Sequence, residues 1–173
     1  MTEPLEYQIM VALAERFRAM STGDGYFYAV DDVAVHLDPD NGVDALMQAD
    51  DTGRKVRPFV ILEPVDGETW QYEPANQLKF TMPVLVHWVH SAVPLEDAVT
   101  GAPRPPEDHE RVRLYWRGCA DIEKAINRSG DPHLGGLAVD VRIVDRQMRV
   151  DGQDVWATLT VEVTSRREYG KAA

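Results

Sequence analysis

The residue types able to do chemistry in this sequence are its histidines, its adjacent carboxylates and one glycine-rich loop. The histidines are His36, His87, His90, His109 and His133. His87 and His90 stand three apart in an alternating segment, so on a strand they face opposite sides and cannot chelate one metal together. Asp31-Asp32, Asp50-Asp51 and Glu107-Asp108 fall in bends and loops. Solvated charge is the ordinary outcome there, whereas an acid–base pair needs a shared pocket that splits its pKa values. Ser21, Ser91, Ser129 and Ser165 lie outside any G-x-S-x-G context. The single cysteine, Cys119, lies on a helical pattern and reads as a small buried apolar residue. With one cysteine there is no disulfide framework and no cysteine-based zinc site. No catalytic set, metal or cofactor is expected, and the chain is read as a non-enzyme.

The stretch AINRSGDPHLGGLAVDVRIV (125–144) carries the glycines that a phosphate cradle would use. Such a cradle follows a strand and opens a helix, whose free N–H groups and positive dipole end receive the phosphate. Here the order is reversed: a helical pattern comes first and an alternating one second. Asp131 adds negative charge, and the spacing fails GxxxxGK[ST]. The expected roles are structural. Gly130 ends a helix in the left-handed conformation, Pro132 blocks continuation, and Gly135-Gly136 turn the chain into a strand.

The elements that position these residues follow from periodicity. Leu5, Ile9, Leu13 and Phe17 make one apolar stripe on a helix over residues 3–20, with Thr2 as a cap and Pro4 in the first turn. YFYAVDDVAVHL (26–37) and FVILEP (59–64) read as strands. In LKFTMPVLVHWVH (78–90), Leu78, Phe80, Met82, Val84, Val86 and Trp88 share one face, and Pro83 implies an edge position or a bulge. Val112, Trp116, Cys119, Ile122 and Ile126 define a second helix over 109–128, with Trp88 and Trp116 as core. LAVDVRIV (137–144) and VWATLTVEV (155–163) alternate as strands around a turn at Asp151-Gly152. Trp156 falls on the other face of its strand, where either a second packed layer or a subunit contact accounts for it.

The expected architecture is a single α+β domain over residues 1–173. A mainly antiparallel sheet of four to five strands carries two principal helices packed on one face. The only β-α-β step able to join parallel strands crosses the second helix. Long loops are expected at 38–57 and 92–108, the second holding Pro94, Pro103, Pro105 and Pro106, and a charged tail frays from about residue 165. Loops of this length in a compact domain are often functional.

The formal net charge of −11 repels a phosphate backbone, which proteins bind by neutralising it with Lys and Arg. A DNA-coating role is excluded on this ground, while a surface that DNA passes without sticking is not. The sequence opens without a basic n-region or an apolar h-region, and no apolar run reaches about 18 residues, so neither export nor a membrane span is expected.

Taken in order, these segments resemble the tail terminator (minor tail) proteins of long-tailed phages. The likeness rests on LEYQIMVALAERFRAM leading into a G-x-G-Y strand, then RPFVILEP, KFTMPVLVHWVH, ADIEKAI, DPHLGGLAVDVRIV and TLTVEV. Asp121, Ile122, Ala125, Ile126, Asp131, Leu134, Gly136 and Leu137 carry the nearest correspondence. It covers residues from about 5 to 164, apart from the insertions at 38–57 and 92–108. The resemblance implies a homohexameric ring at the head-proximal end of the tail in the virion, assembled in the host cytoplasm. Such a ring stops polymerisation of the tail tube protein and offers a surface to the head–tail connector, and genomic DNA passes its bore without specific binding. It implies no catalytic residues. Candidate subunit or partner contacts are Trp156, Asp50, Asp51, Pro94, Arg104, Pro105, Arg166 and Arg167. Two alternatives stand beside it: a head–tail joining (neck) protein, and a small enzyme or ligand-binding domain with a pocket near His87, His90 and the proline loop.

Overall fold

The stripe Leu5, Ile9, Leu13 and Phe17 folds as helix α1 (Leu5–Arg18), with all four side chains buried beside Met10 and Ala14. The computed structural model describes residues 3–30, 32–35, 58–74, 77–91, 95–96, 100, 103–127, 133–152 and 154–168. The helix is capped by Pro4, whose carbonyl accepts from Gln8 N–H at 3.1 Å. Thr2, expected as the cap, lies outside the described residues, as do His36 and Asp31. A short 3-10 turn at Thr22–Asp24 follows, and the first strand, β1, spans Asp32–Val35. The strand expected over 26–37 therefore does not include its aromatic first half. Tyr26, Phe27 and Tyr28 are bound elsewhere, as described below.

The remaining elements are β2 (Phe59–Pro64), β3 (Thr69–Glu73), β4 (Gln77–Ser91), β5 (Leu95–Glu96), β6 (Pro103–Arg104), helix α2 (Asp108–Ile126), β7 (Asp140–Asp151) and β8 (Asp154–Glu168). The main sheet is six-stranded, in the order β1-β2-β4-β8-β7, with β3 pairing β4 beside β2. It is mixed: β1 and β2 run parallel, and the other pairs are antiparallel. This corrects the expected four to five strands and the expected place of parallel pairing. The crossover through α2 does land on a strand parallel to β4, but β8 lies between them. The proline-rich loop at 92–108 also contains structure, because β5 and β6 pair antiparallel within it. The loop at 38–57 lies outside the described residues.

Pro83 explains how one long strand serves two neighbours. Along one side of β4, β2 pairs with residues Val84–Val89 and β3 with residues Gln77–Thr81. Pro83 falls in the gap between them, and its carbonyl accepts from Val65 N–H at 3.3 Å on that side. The N–H and C=O of a strand residue point the same way, so the missing donor faces the gap, and no bond of the β4–β8 ladder is lost. β4 is thus a central strand, and Pro83 sits where it is locally an edge.

The main core joins both helices to one face of the sheet. It holds Phe80, Met82, Val84, Val86 and Trp88 of β4 and Val155, Ala157, Leu159, Val161 and Val163 of β8. The opposite face buries a smaller cluster of Phe59, Ile61, Val89 and Trp156. β8 continues to Glu168, paired with Gln77, and Ser165 is buried, so the tail is ordered three residues beyond the expected fraying point. Gly152, with φ 58°, supplies the left-handed residue of the β7–β8 turn. Asp151 itself pairs with Asp154, one residue outside the expected turn.

Helix α2 corrects the expected stripe. Its buried residues are Tyr115, Gly118, Cys119, Asp121, Ile122, Ala125 and Ile126. Val112 and Trp116 are exposed, Trp116 at 58%. The helix lies close on β4 because residue 118 has no side chain. A Cβ there would stand 2.5 Å from the Trp88 ring. Gly118→Ala gains about 1 kcal/mol in helix propensity but forces an overpacked core, which costs roughly 1–3 kcal/mol. Urea denaturation is expected to show a net loss of stability, and a second substitution, Trp88→Leu, is expected to make the alanine tolerable.

Candidate functional site

Three residues of α2, spaced 117, 121 and 124, hold the segment between α1 and β1. Asp121 is buried; its Oδ1 accepts from Phe27 N–H at 2.9 Å and its Oδ2 from Tyr28 N–H at 3.0 Å. Lys124 donates to the Asp24 carbonyl at 2.7 Å and lies 4.5 Å from the Tyr26 ring centroid. Arg117 covers the Phe27 ring at 5.0 Å. From α1, the Arg16 guanidinium donates to the Ile126 carbonyl at 2.7 Å and satisfies one orphan acceptor at the end of α2. Burial lifts the Asp121 carboxyl above its ordinary range, against the pull of the two backbone N–H groups and of Lys124 and Arg117. Burial likewise lifts the Cys119 thiol, which suits an inert core residue. An open cleft of about 680 Å³ beside this contact is lined by Asp24, Tyr26, Glu123, Lys124 and Asn127. Its one ammonium is already committed to Asp24.

The glycine loop behaves as a turn. Gly135 and Gly136 take φ 67° and 88°, in a 3-10 turn over Leu134–Gly136. The N–H groups of Gly136 and Ala138 both donate to the His133 carbonyl, at 3.0 Å each, and that of Leu137 donates to Leu134 at 3.2 Å. These donors are spent inside the turn and do not present a phosphate site. Gly130, Asp131 and Pro132 lie outside the described residues.

His87 and His90 do face opposite sides of β4. His87 Nδ1 lies 3.1 Å from Thr158 Oγ1, and its Nε2 lies 3.2 Å from Glu63 Oε2. His90 packs edge-on against Tyr28 at 4.8 Å and against Trp88 at 5.6 Å. A hydroxyl–imidazole–carboxylate line has the connectivity of an activated nucleophile. Here it bridges neighbouring strands β8, β4 and β2 at mid-sheet, where such cross-strand pairs also stabilise a sheet. Among the described residues no group of three His, Cys, Asp or Glu side chains is placed to hold a metal, and no helix is long and apolar enough to cross a membrane.

Of the candidate contact residues, Trp156, Arg166, Arg167, Pro105 and the main chain of Arg104 are described. Trp156 is buried in one cluster with Phe59, Ile61 and Val89. Arg166 pairs with Glu73 at 2.8 Å, Arg167 stands in register with Leu78, and Pro105 is exposed. The main chain of Arg104 belongs to β6. Asp50, Asp51 and Pro94 lie outside the described residues. No family model and no curated protein matches the chain.

What the surface offers instead is a set of exposed apolar side chains that sequence reading assigned elsewhere or passed over. Trp116 and Val112 stand on α2, and Phe27 lies under Arg117 of the same helix. Trp70 and Tyr72 stand on β3, an element whose alternating TWQYE pattern was there to be read. Val144, Met148 and Val150 stand on β7.

The Asp121 contact makes a direct test. In Asp121→Asn one acceptor is replaced by an N–H₂ group that faces a backbone N–H, which costs about 1–3 kcal/mol. A folded-state pKa above the unfolded one means that the folded chain holds this proton more tightly, so the stability contributed by this group falls as pH rises. The advantage of the unsubstituted chain over Asp121→Asn is therefore largest in acid. It shrinks as pH rises from the ordinary carboxyl range to the raised folded value, and is constant above. Denaturation midpoints of both chains across that window check the sign.

Proposed function

We propose that this chain is a structural protein that assembles with itself, and that it serves as the tail terminator of a long-tailed phage. In this reading six copies form a ring on the head-proximal end of the tail tube, stop tube growth and present a face to the head connector. The two helices pack on one face of the sheet, and β7 and β3 are edge strands among the described elements.

The observation that supports this best is the distribution of exposed large apolar side chains. They lie on separate surfaces, with Trp70 and Tyr72 on one edge strand, Met148 and Val150 on the opposite edge strand, and Trp116 on a helix. Large exposed apolar patches mark interaction sites. A closed ring needs two different surfaces of one chain to match, and a two-fold dimer needs only one. The net charge of −11 suits a ring that DNA traverses without sticking.

Tube subunits stack head to tail, and such a contact has no intrinsic stopping point until another surface covers the growing end. Deleting the gene from its phage is therefore expected to give overlong headless tails beside filled, tailless heads in electron micrographs. Tails of normal length that fail to join heads would overturn the terminator role in favour of a head–tail joining protein.

A further inference from the structure

We infer that the ring is closed by strand addition, with the outer edge of β3 in one copy pairing antiparallel with the outer edge of β7 in the next. This rests on the self-assembly reading above and names its contact.

Both strands end the sheet among the described elements. In the described sheet β7 is the last strand, and β3 pairs with β4. Along β3, Trp70 and Tyr72 stand opposite Phe80 and Leu78, on the face that carries the helices, while Thr69, Gln71 and Glu73 lie on the other face. Along β7 a bulge at Ile143/Asp145 resets the alternation. Beyond it Arg146, Met148 and Val150 stand opposite Leu159, Ala157 and Val155, again on the helix face, and Asp145, Gln147, Arg149 and Asp151 lie on the other. The four large apolar side chains at the two edges are therefore on the same face. Trp70, Tyr72, Met148 and Val150 are exposed by 47%, 74%, 38% and 42%.

The pairing fixes direction and register. β3 runs opposite to β4, and β7 runs with β4, so a neighbouring copy laid edge to edge in the same orientation pairs the two strands antiparallel. Within the regular part of β7, residues 145–151, two registers keep all five β3 residues paired with faces matched. One sets Glu73 opposite Asp145, and like charges directly opposed are destabilising. The other sets Tyr72 against Met148, Trp70 against Val150, Gln71 against Arg149, Thr69 against Asp151 and Glu73 against Gln147. It brings a thioether to an aromatic ring and puts Glu73 diagonal to Arg149, within reach of their long side chains. A second copy is the occupant this favours, because one chain carries both halves of the match. Each copy uses both edges once, so the contact is heterologous and closes by rotation.

The test is a cysteine pair, Tyr72→Cys with Met148→Cys, in the full chain under mild oxidation. Directly opposed residues of antiparallel strands lie within disulfide reach. Within one chain the two positions are three strand spacings apart, roughly 14 Å, which is too far. Cys119 is buried and does not compete. A ladder of covalent oligomers that ends at the ring size is expected from the double variant and from a second pair, Trp70→Cys with Val150→Cys. Each single variant is expected to stay monomeric on a denaturing gel, and the two singles mixed are expected to give dimers. Crosslinking by Thr69→Cys with Arg149→Cys instead would overturn the register. Oligomers of the unsubstituted chain in native mass spectrometry, with no crosslink from either pair, would overturn the edge contact and leave the ring standing. Monomers alone, with no crosslink, would overturn both.

Discussion

One buried carboxylate decides how the front of this chain meets its middle. Asp121 offers an oxygen to each of two successive backbone N–H groups, at Phe27 and Tyr28. Those donors belong to a segment without strand partners among the described residues, and a buried N–H left unpaired costs about as much as a lost hydrogen bond. By meeting both, Asp121 lets an aromatic stretch lie across a helix rather than join the sheet. β1, from Asp32 to Val35, takes a parallel place beside β2. Arg16 reaches the end of the same helix from α1, so polar contacts tie α2 to both neighbouring segments.

The apolar packing then follows from close approach. Gly118 admits the Trp88 ring, and Tyr28 covers that ring from the other direction at 5.4 Å. The helix is drawn onto β4 through its middle and C-terminal turns. The covered stripe runs through Tyr115, Gly118, Cys119 and Ile122 and leaves Trp116 to one side, and Val112 lies before its first buried residue, so both meet solvent although their spacing fits a helical stripe. The capping box at Glu107 and Glu110 closes the N-terminal turn of this helix.

Much of this was legible before any coordinates. The α1 stripe, the inward face of β4 and the turn character of Gly135-Gly136 follow from spacing alone. The parallel β1–β2 pair was not, because pairing between strands joined by a long loop leaves no mark on local periodicity. Trp116 misled because three- and four-residue spacing admits neighbouring stripes, and the buried one runs through Tyr115 and Gly118 instead of residue 116. Trp156 stayed ambiguous because alternation gives a face and not what lies on it. The β3 strand was there to be read in TWQYE but is short and polar at alternate positions, and it carries the most exposed aromatic side chain described, Tyr72.

Pro83 has a consequence for cooperativity. By standing where β2 gives way to β3, it leaves the β3 arm, among the described residues, with a backbone ladder to β4 and the Glu73–Arg166 ion pair to β8. The arm shares one ladder with the domain and contributes largely exposed side chains, the features of a unit that opens without global unfolding. Its amides are then among the first of the sheet to exchange with solvent in an isolated chain. A strand laid along its outer side would turn this arm from the loosest part of the sheet into an interior one, so its protection would report assembly rather than folding.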